Sequence, residues 1–182
     1  IYDTYTGIPE DTRRLLENHT GKKLDRPAGE KHAAYKQVKE KILNCLNKEL
    51  EYDTDVAERG EDTDFLQDLF EISRSGYSVH YATAATLMFR YYGIPARYVE
   101  GYLITPDAAK KADKTGKLTI TDNDAHAWVE YYQDGIGWIP FEVTPPYMDV
   151  MEQPQQLSSS GGSGSSGSRG SAGQSLEMEK DN

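Results

Sequence analysis

The chain has 182 residues, with 30 Asp or Glu against 20 Lys or Arg, and its formal net charge at pH 7 is −10. This length is typical of one domain or of one domain with a tail, and about 150 residues can bury a sizeable core without disulfides or metal ions. The acidic balance and the lack of a Lys/Arg block of five or more residues argue against nucleic acid as a partner. The acidic surface also argues against adhesion to anionic lipid.

The sequence leaves the cellular location open. Cys45 is the single cysteine, so no intrachain disulfide can form. This fits a cytosol, and it fits equally well a bacterial surface protein that lacks disulfides. No apolar run approaches 18 residues and no signal peptide precedes the domain. Because the chain starts at Ile1 rather than Met, we interpret it as an excised fragment. The missing targeting segment therefore says little about the cellular location.

Four helices are predicted in the first half of the chain. Pro9 and Gly21 mark the start and end of the first. The second covers residues 33–50, and a third, short helix ends at Gly76. The fourth covers residues 78–92 and is followed by Gly-Ile-Pro, which cannot continue a helix.

Cys45 lies in the second predicted helix, on an apolar stripe. The stripe follows the i, i+3, i+4, i+7 spacing of one helix face and consists of Tyr35, Val38, Ile42, Cys45 and Leu46. We therefore interpret Cys45 as a buried core thiol, and a catalytic thiol is the alternative.

Strands follow the helices. Residues 97–104 are rich in β-formers, and residues 105–123 form a polar loop. Two further strands are predicted at residues 125–132 and 138–143, joined by the hairpin turn "QDGIG". Helices first and antiparallel strands second indicate an α+β fold.

The composition changes abruptly from residue 157 onward. The stretch "SSSGGSGSSGSRGSAGQS" has no large apolar side chain and cannot offset the entropy of ordering its backbone. We predict one folded domain over residues 1–151 and a flexible Ser/Gly-rich linker or tail over residues 152–182. A cloning scar is the alternative to a native linker.

Three side chains could form a site for nucleophilic acyl transfer. Such chemistry needs a nucleophile, a base beside it and a third group that orients the base. Ser78 stands at a helix N-terminus, where unsatisfied backbone N–H groups can bind an oxyanion. His126 on a strand is the natural base, and Glu142 on the neighbouring strand can orient it. Spacing alone leaves open that His126 is a core histidine and that Glu142 is an ordinary strand-edge carboxylate.

Three motifs resemble the transglutaminase-like (transglutaminase core) domain: "SGYSVHYATAATLMFRYYGIPARYVEGY", "DAHAWVEYY" and "GWIPFEVTPPY". The resemblance implies a papain-like fold of the cysteine-protease superfamily, with N-terminal helices packed on an antiparallel sheet. It also implies a Cys–His–Asp triad, with Ser78 in the cysteine position, His126 in the histidine position and Glu142 in the aspartate position. The implied activity is acyl transfer or hydrolysis at amide bonds of a peptide or protein, without a cofactor or metal.

The resemblance is strongest to bacterial secreted or membrane-tethered members of the family. It therefore implies a domain on the extracellular face, with membrane attachment through a segment outside this fragment. A cytoplasmic location remains the alternative, because the residues themselves do not decide between the two.

Ser78 is the main departure from the family pattern. A hydroxyl cannot form the thiolate–imidazolium pair that a cysteine forms, and it must lose its proton during the attack. Three interpretations stay open: a natural non-catalytic module that binds or scaffolds peptide, an engineered substitution that silences an active parent, and a working serine triad. Either of the first two makes the chain weak or inactive as given.

The remaining predictions concern residues around this site. Tyr77 and Trp128 are predicted to bind substrate, although Trp128 could equally be a core residue. His80 is expected to pack against the sheet, with a supporting contact to the site as the alternative. His19 and His32 are expected to be solvated. The histidines lack metal-ligand spacing, and the Asp-rich loop before His126 is interpreted as solvated rather than as a calcium site.

Overall fold

The structure is a computed structural model that describes residues 1–21, 23–57 and 63–150. The predicted linker and the boundary at residue 151 lie outside the described residues. The helices are α1 Tyr2–Tyr5, α2 Glu10–Thr20, α3 Tyr35–Glu49, α4 Phe65–Gln67, α5 Ser78–Tyr91 and α6 Pro106–Ala109. The strands are β1 Glu51–Tyr52, β2 Ser75–Gly76, β3 Ala96–Tyr102, β4 Ala125–Gln133 and β5 Gly137–Phe141. Among the helices in the described ranges, none has the length and apolarity needed to cross a bilayer.

The second helix has the buried stripe that the sequence predicts. Within α3, Val38, Ile42 and Leu46 are fully buried, and Cys45 is 7% exposed. These positions recur at helical spacing, so one face of α3 packs into the core and its charged residues stay in solvent. The prediction of a helix at residues 33–50 is confirmed, although the helix is two residues shorter at its start and one residue shorter at its end.

Helix α5 is the centre of the domain. It packs against α3 on one side and against β3 and β4 on the other. Small side chains such as Ala84 and Ala85 permit this close approach, while Met88 and Phe89 fill the core, all four with no exposed surface. Gly93 ends the helix with φ +82°, a conformation that favours glycine.

The main sheet is antiparallel, in the order β3-β4-β5. In its register His126 is opposite Gly101 and Val129 is opposite Phe141. One face carries Val129, Tyr131 and Phe141, which are buried against the helices. The other carries His126. The hairpin turn lies between the end of β4 and the start of β5, as the sequence predicts, and the α+β class is confirmed.

A second, two-stranded sheet was not predicted. Strands β1 and β2 are parallel, with Tyr52 opposite Gly76. The third predicted helix is irregular, because α4 continues into a wider π-helical turn, Asp68–Ser73. Arg74, which follows this turn, lies in the left-handed region with φ 51°. The guanidinium of Arg74 donates to the carbonyl of Glu49. This fixes the chain that leads into the N-terminus of α5.

The prediction that His19 and His32 are solvated is wrong. His32 is buried, its Nδ1–H donates to the Ala33 carbonyl at 2.7 Å, and its ring lies against Tyr35. His19 stacks on Phe70 with ring centroids 5.0 Å apart. Because an imidazole has apolar faces and a polar edge, each ring is covered by an aromatic neighbour while its nitrogen keeps a polar partner.

Candidate active site

His126 and Glu142 form a buried pair. The Nε2 atom of His126 lies 2.6 Å from Oε2 of Glu142, and the two side chains are 1% and 0% exposed. A carboxylate can only accept, so Nε2 carries the hydrogen and donates it. The other ring nitrogen, Nδ1, is an acceptor in the neutral imidazole, and it is buried with no hydrogen-bond partner in the described part of the chain.

The carboxylate of Glu142 is held from its other side. Oε1 accepts from the backbone N–H of Val143 at 2.9 Å and from that of Thr144 at 2.7 Å. These bonds orient both oxygens, so Oε2 is aimed at the imidazole. They also end the strand. Glu142 was predicted to lie within a strand at residues 138–143, but β5 stops at Phe141, because this local turn replaces ladder pairing.

Ser78 is the first residue of α5 and is 8% exposed. The carbonyl of Tyr77, the preceding residue, accepts from the N–H groups of His80 and Tyr81. The N–H groups of Ser78 and Val79 come before these and have no helical acceptor, as at any helix start. The Ser78 hydroxyl makes no hydrogen bond to any residue within the described ranges, His126 included.

Ser78 and His126 line the same cavity, which has a volume of about 750 Å³. Its wall is aromatic and acidic, with carboxylates from Glu100 and Asp122, and no Lys or Arg among the described residues lines it. Its tyrosines are Tyr52, Tyr77, Tyr102 and Tyr147. Burial, together with the neighbouring Tyr147, raises the pKa of Tyr52 above its ordinary value. The cavity therefore offers apolar ring faces and negative charge to a ligand.

The two predicted substrate contacts differ in position. Tyr77 lines the cavity and is 37% exposed. Trp128 lies beside His126 with ring centroids 6.3 Å apart and covers Gly101, where an added Cβ would lie 3.0 Å from the indole. It is not one of the residues that line the cavity. Contact of Trp128 with a substrate stays a prediction.

Tyr147 is a neighbour of His126 that sequence reasoning missed. The two ring centroids are 4.3 Å apart, and Tyr147 also lines the cavity. It lies in a 3₁₀ turn, Pro145–Tyr147, six residues beyond the end of β5. The only signal for it was its place at the end of the "GWIPFEVTPPY" motif, which gave it no role.

His80 lies beside the nucleophile position but points elsewhere. Its ring stacks on Phe65 with centroids 5.6 Å apart, and its Nδ1 accepts from the N–H of Tyr77. Burial lowers the pKa of His80, which favours this neutral, accepting form. The expected packing against the antiparallel sheet is replaced by contacts with the segment that precedes Ser78, so the alternative of a supporting contact fits better.

Cys45 has the environment of a core thiol. Its Sγ lies 3.8 Å from the carbonyl oxygen of His19, and burial raises its pKa to about 11. A nucleophilic cysteine needs the opposite shift. In the described ranges no group of three or more His, Cys, Asp or Glu side chains is arranged to hold a metal ion.

Comparison with known proteins assigns the chain to a family. Residues 22–143, more than half of the chain, match the family model described as the transglutaminase-like superfamily. The chain belongs to the transglutaminase-like superfamily. The resemblance inferred from the sequence motifs is thereby confirmed.

Two curated relatives of this transglutaminase-like chain are bacterial. YebA of Bacillus subtilis, an uncharacterized protein, is 36% identical over 101 residues, which cover 54% of this chain and 13% of YebA. A protein-glutamine gamma-glutamyltransferase of Pseudomonas aeruginosa is 40% identical over 93 residues, which cover 51% of this chain and 12% of the relative. The chain thus spans only about an eighth of the length of the curated relatives it matches.

Solved structures show the same fold. The periplasmic domain of TgpA from Pseudomonas aeruginosa superposes with a TM-score of 0.58 at 28% identity, over 81% of this chain and 49% of that one. A cysteine protease candidate from Cytophaga hutchinsonii superposes with a TM-score of 0.50 at 21% identity, over 79% of this chain and 42% of that one. The predicted fold of the cysteine-protease superfamily, with helices packed on an antiparallel sheet, is confirmed.

Proposed function

We propose that this domain is built for acyl transfer or hydrolysis at amide groups of peptides or proteins, with Ser78 in the nucleophile position, His126 as acid and base, and Glu142 as the orienting group. The observation that carries the proposal is the 2.6 Å bond between His126 and Glu142, which leaves Nδ1 of His126 unpartnered near a cavity that Ser78 also lines. A buried imidazole with one fixed nitrogen and one free nitrogen is what a nucleophile needs beside it.

The steps follow from these atoms. The nucleophile attacks the amide carbonyl carbon while Nδ1 of His126 takes its proton. The N–H groups of Ser78 and Val79, which have no helical acceptor, are the proposed donors to the oxyanion. The carbonyl then re-forms, the C–N bond breaks, and the leaving amine takes the proton from Nδ1. Water or a second amine attacks the carbonyl of the acyl intermediate and gives its proton to Nδ1. The bond between the acyl group and the nucleophile then breaks, the nucleophile takes this proton back from Nδ1, and the product leaves.

With serine in this position, the chain is expected to be slow or inactive. The hydroxyl has no hydrogen bond to His126, whereas a working serine nucleophile shares its proton with its base. An error of about 1 Å in such a contact can cost roughly 100-fold in rate. This same observation favours the alternative function, a non-catalytic extracellular module that binds peptide in the cavity without turnover.

The cavity supports a peptide substrate with a positive charge near the reacting amide. Four tyrosine rings can stack on peptide and side-chain groups, and Glu100 and Asp122 provide negative charge without an opposing cation in the described wall. The relative named protein-glutamine gamma-glutamyltransferase is consistent with a protein amide as acyl donor.

An extracellular location is part of the proposal. The similar domain of TgpA is named periplasmic. In this proposal the Ser/Gly-rich tail would connect the domain to a membrane segment outside this fragment.

Three proteins test the proposal: the parent chain, Ser78→Cys and Ser78→Ala. Each is incubated with a glutamine peptide and a primary amine, and release of ammonia and formation of the amide-linked product are followed by mass spectrometry. Turnover by Ser78→Cys alone supports the proposal. Turnover by the parent that is lost in Ser78→Ala indicates a serine enzyme. Absence of turnover in all three, with saturable peptide binding, contradicts catalysis and establishes the binding module.

A further inference from the structure

A second cavity, of about 540 Å³, lies at the opposite end of α5 from Ser78. Arg90, one of its lining residues, follows Ser78 by 12 positions in the same helix, which corresponds to about 18 Å along the axis. The cavity is lined by residues from five segments: the end of α1, the first half of α2, residues 23–26, residues 31–33, and the end of α5. It shares no lining residue with the candidate active site.

The charge of this cavity is opposite to that of the protein. Its lining includes five permanent cations, Arg13, Lys23, Arg26, Lys31 and Arg90. Among the described residues that line it, Asp25 is the only one with a carboxylate, in a chain whose net charge is −10. Cations gathered on one concave surface of an acidic protein focus a local positive potential there.

Few of these cations are neutralised. Arg13 lies 3.7 Å from Glu10, and within residues 1–21, 23–57 and 63–150 the other four have no ion pair. Lys23 and Lys31 lie over the rings of Tyr91 and Tyr2, at 5.5 and 4.3 Å. These contacts hold the ammonium groups at the cavity without removing their charge.

Arg90 provides the fixed part of the cavity. Its Nε donates to the carbonyl of Ala96 at 2.9 Å, which fixes the guanidinium plane, and burial lowers its pKa below the ordinary value of an arginine. Half-buried, charged and without a carboxylate, such a group gains from a bound anion. Arginine is suited to this role because its fork of N–H donors matches phosphate oxygens.

We propose that this cavity binds a phosphate-bearing ligand, with Arg90 as its fixed donor and Arg26, Lys23 and Lys31 closing on the phosphate oxygens. A phosphate carries between one and two charges at neutral pH and three acceptor oxygens, which suits several converging cations better than a single carboxylate does. The phosphate can belong to a free small molecule or to a lipid headgroup. The overall acidity of the chain opposes a general attraction to anionic surfaces, so binding has to be local.

The experiment uses the full chain and two exposed-charge variants. Arg26→Gln/Lys31→Gln removes two cations of the cavity. The matched control, Lys36→Gln/Lys111→Gln, removes two exposed cations that do not line it. Inorganic pyrophosphate is titrated at constant ionic strength, with amide chemical shifts near residues 90–93 as the readout. In parallel, the proteins are co-sedimented with two kinds of vesicle, one of phosphatidylcholine alone and one of phosphatidylcholine mixed with about 30% phosphatidylglycerol.

Saturable binding by the parent, at least tenfold weaker in Arg26→Gln/Lys31→Gln and unchanged in the control, supports the proposal. Binding of pyrophosphate without vesicles indicates a small phosphate ligand. Binding of phosphatidylglycerol vesicles that the cavity variant loses indicates a headgroup. The proposal is overturned if both variants weaken binding equally, or if the parent binds neither pyrophosphate nor the vesicles saturably. Circular dichroism of each variant shows that it is folded.

Discussion

The ring of Tyr147 covers His126, with centroids 4.3 Å apart and the planes inclined by 42°. This contact lies beside the bond from His126 to Glu142, so Tyr147 both restrains the imidazole and shields that bond from water. An aromatic contact of this kind contributes about 0.5–1.5 kcal/mol beyond the area that it buries.

Removing this ring is expected to lower activity. In the Ser78→Cys background, Tyr147→Ala should reduce kcat/KM by about 3–10-fold and change the pH profile, because the imidazole is less restrained and more hydrated. Tyr147→Phe keeps the ring and should retain most of the activity. A loss as large in Tyr147→Phe as in Tyr147→Ala would show that the hydroxyl, not the ring contact, matters.

Glu142 is predicted to be required for the orientation of His126. Glu142→Gln in the Ser78→Cys background keeps the size of the side chain but removes the charge that stabilises the protonated imidazole. We expect kcat to fall by about 100–10,000-fold, as for orienting carboxylates in other triads.

A matched control for this change is Glu130→Gln. Glu130 lies on the same strand as His126 and pairs with Arg97 outside the cavity. Its replacement should alter kcat less than twofold. Similar losses from both replacements would mean that Glu142 acts only through the stability of the sheet, which a comparison of melting temperatures would reveal.

The parts of the fold and of this site that can be predicted from the sequence are those that depend on short-range patterns of residues. The helical stripe that contains Cys45 and the hairpin that brings Glu142 near His126 are short-range features, and both are confirmed. The position of Tyr147 depends on a turn that folds back over the sheet, and no periodicity encodes that. Strands β1 and β2 have two residues each, too few to show alternation, and His32 is buried by aromatic neighbours that come together only in the folded chain.

Gly76 lies so close to His80 that a side chain cannot be added without movement. A Cβ at Gly76 would be 2.6 Å from the Cβ of His80. Gly76→Ala is therefore expected to lower the free energy of unfolding by about 1–3 kcal/mol and to shift the segment before Ser78. Gly7→Ala, where no atom lies within 4 Å of the new Cβ, is the control and should be nearly neutral in urea unfolding. Equal stability of the two variants would contradict this tight contact.

The raised pKa of Cys45 predicts a stability change at alkaline pH. Burial raises this pKa from 9.0 to about 11, so the folded state holds the proton more tightly than the unfolded state does. The resulting stability is fully present below pH 9 and is lost as pH rises from 9 towards 11. A shift of this size corresponds to at most about 2–3 kcal/mol.

Urea unfolding of the parent and of Cys45→Ala between pH 8 and 11 measures this contribution of the Cys45 thiol to the free energy of unfolding. Buried tyrosines such as Tyr81 and Tyr131 also have raised pKa values and contribute to the pH dependence of stability, but they do so in both proteins, so the difference between the two curves isolates Cys45. The parent should lose stability more steeply than the variant. Parallel curves would show that the thiol is not protected by burial.

Asp122 provides a test of the charge in the proposed substrate cavity. It lines the cavity and is exposed, so Asp122→Asn should change electrostatics with little effect on folding. The parent chain is expected to bind a labelled glutamine peptide with an adjacent lysine about 2–5-fold more tightly than the same peptide with norleucine, because an exposed charge pair contributes about 0.2–1 kcal/mol. Asp122→Asn should reduce this preference and its dependence on salt, whereas Asp107→Asn, outside the cavity, should leave both unchanged.

Fluorescence anisotropy at two salt concentrations measures these affinities. A lysine preference that persists in Asp122→Asn would assign the charge recognition to Glu100 alone, and its absence in the parent would show that the acidic wall does not select cationic peptides.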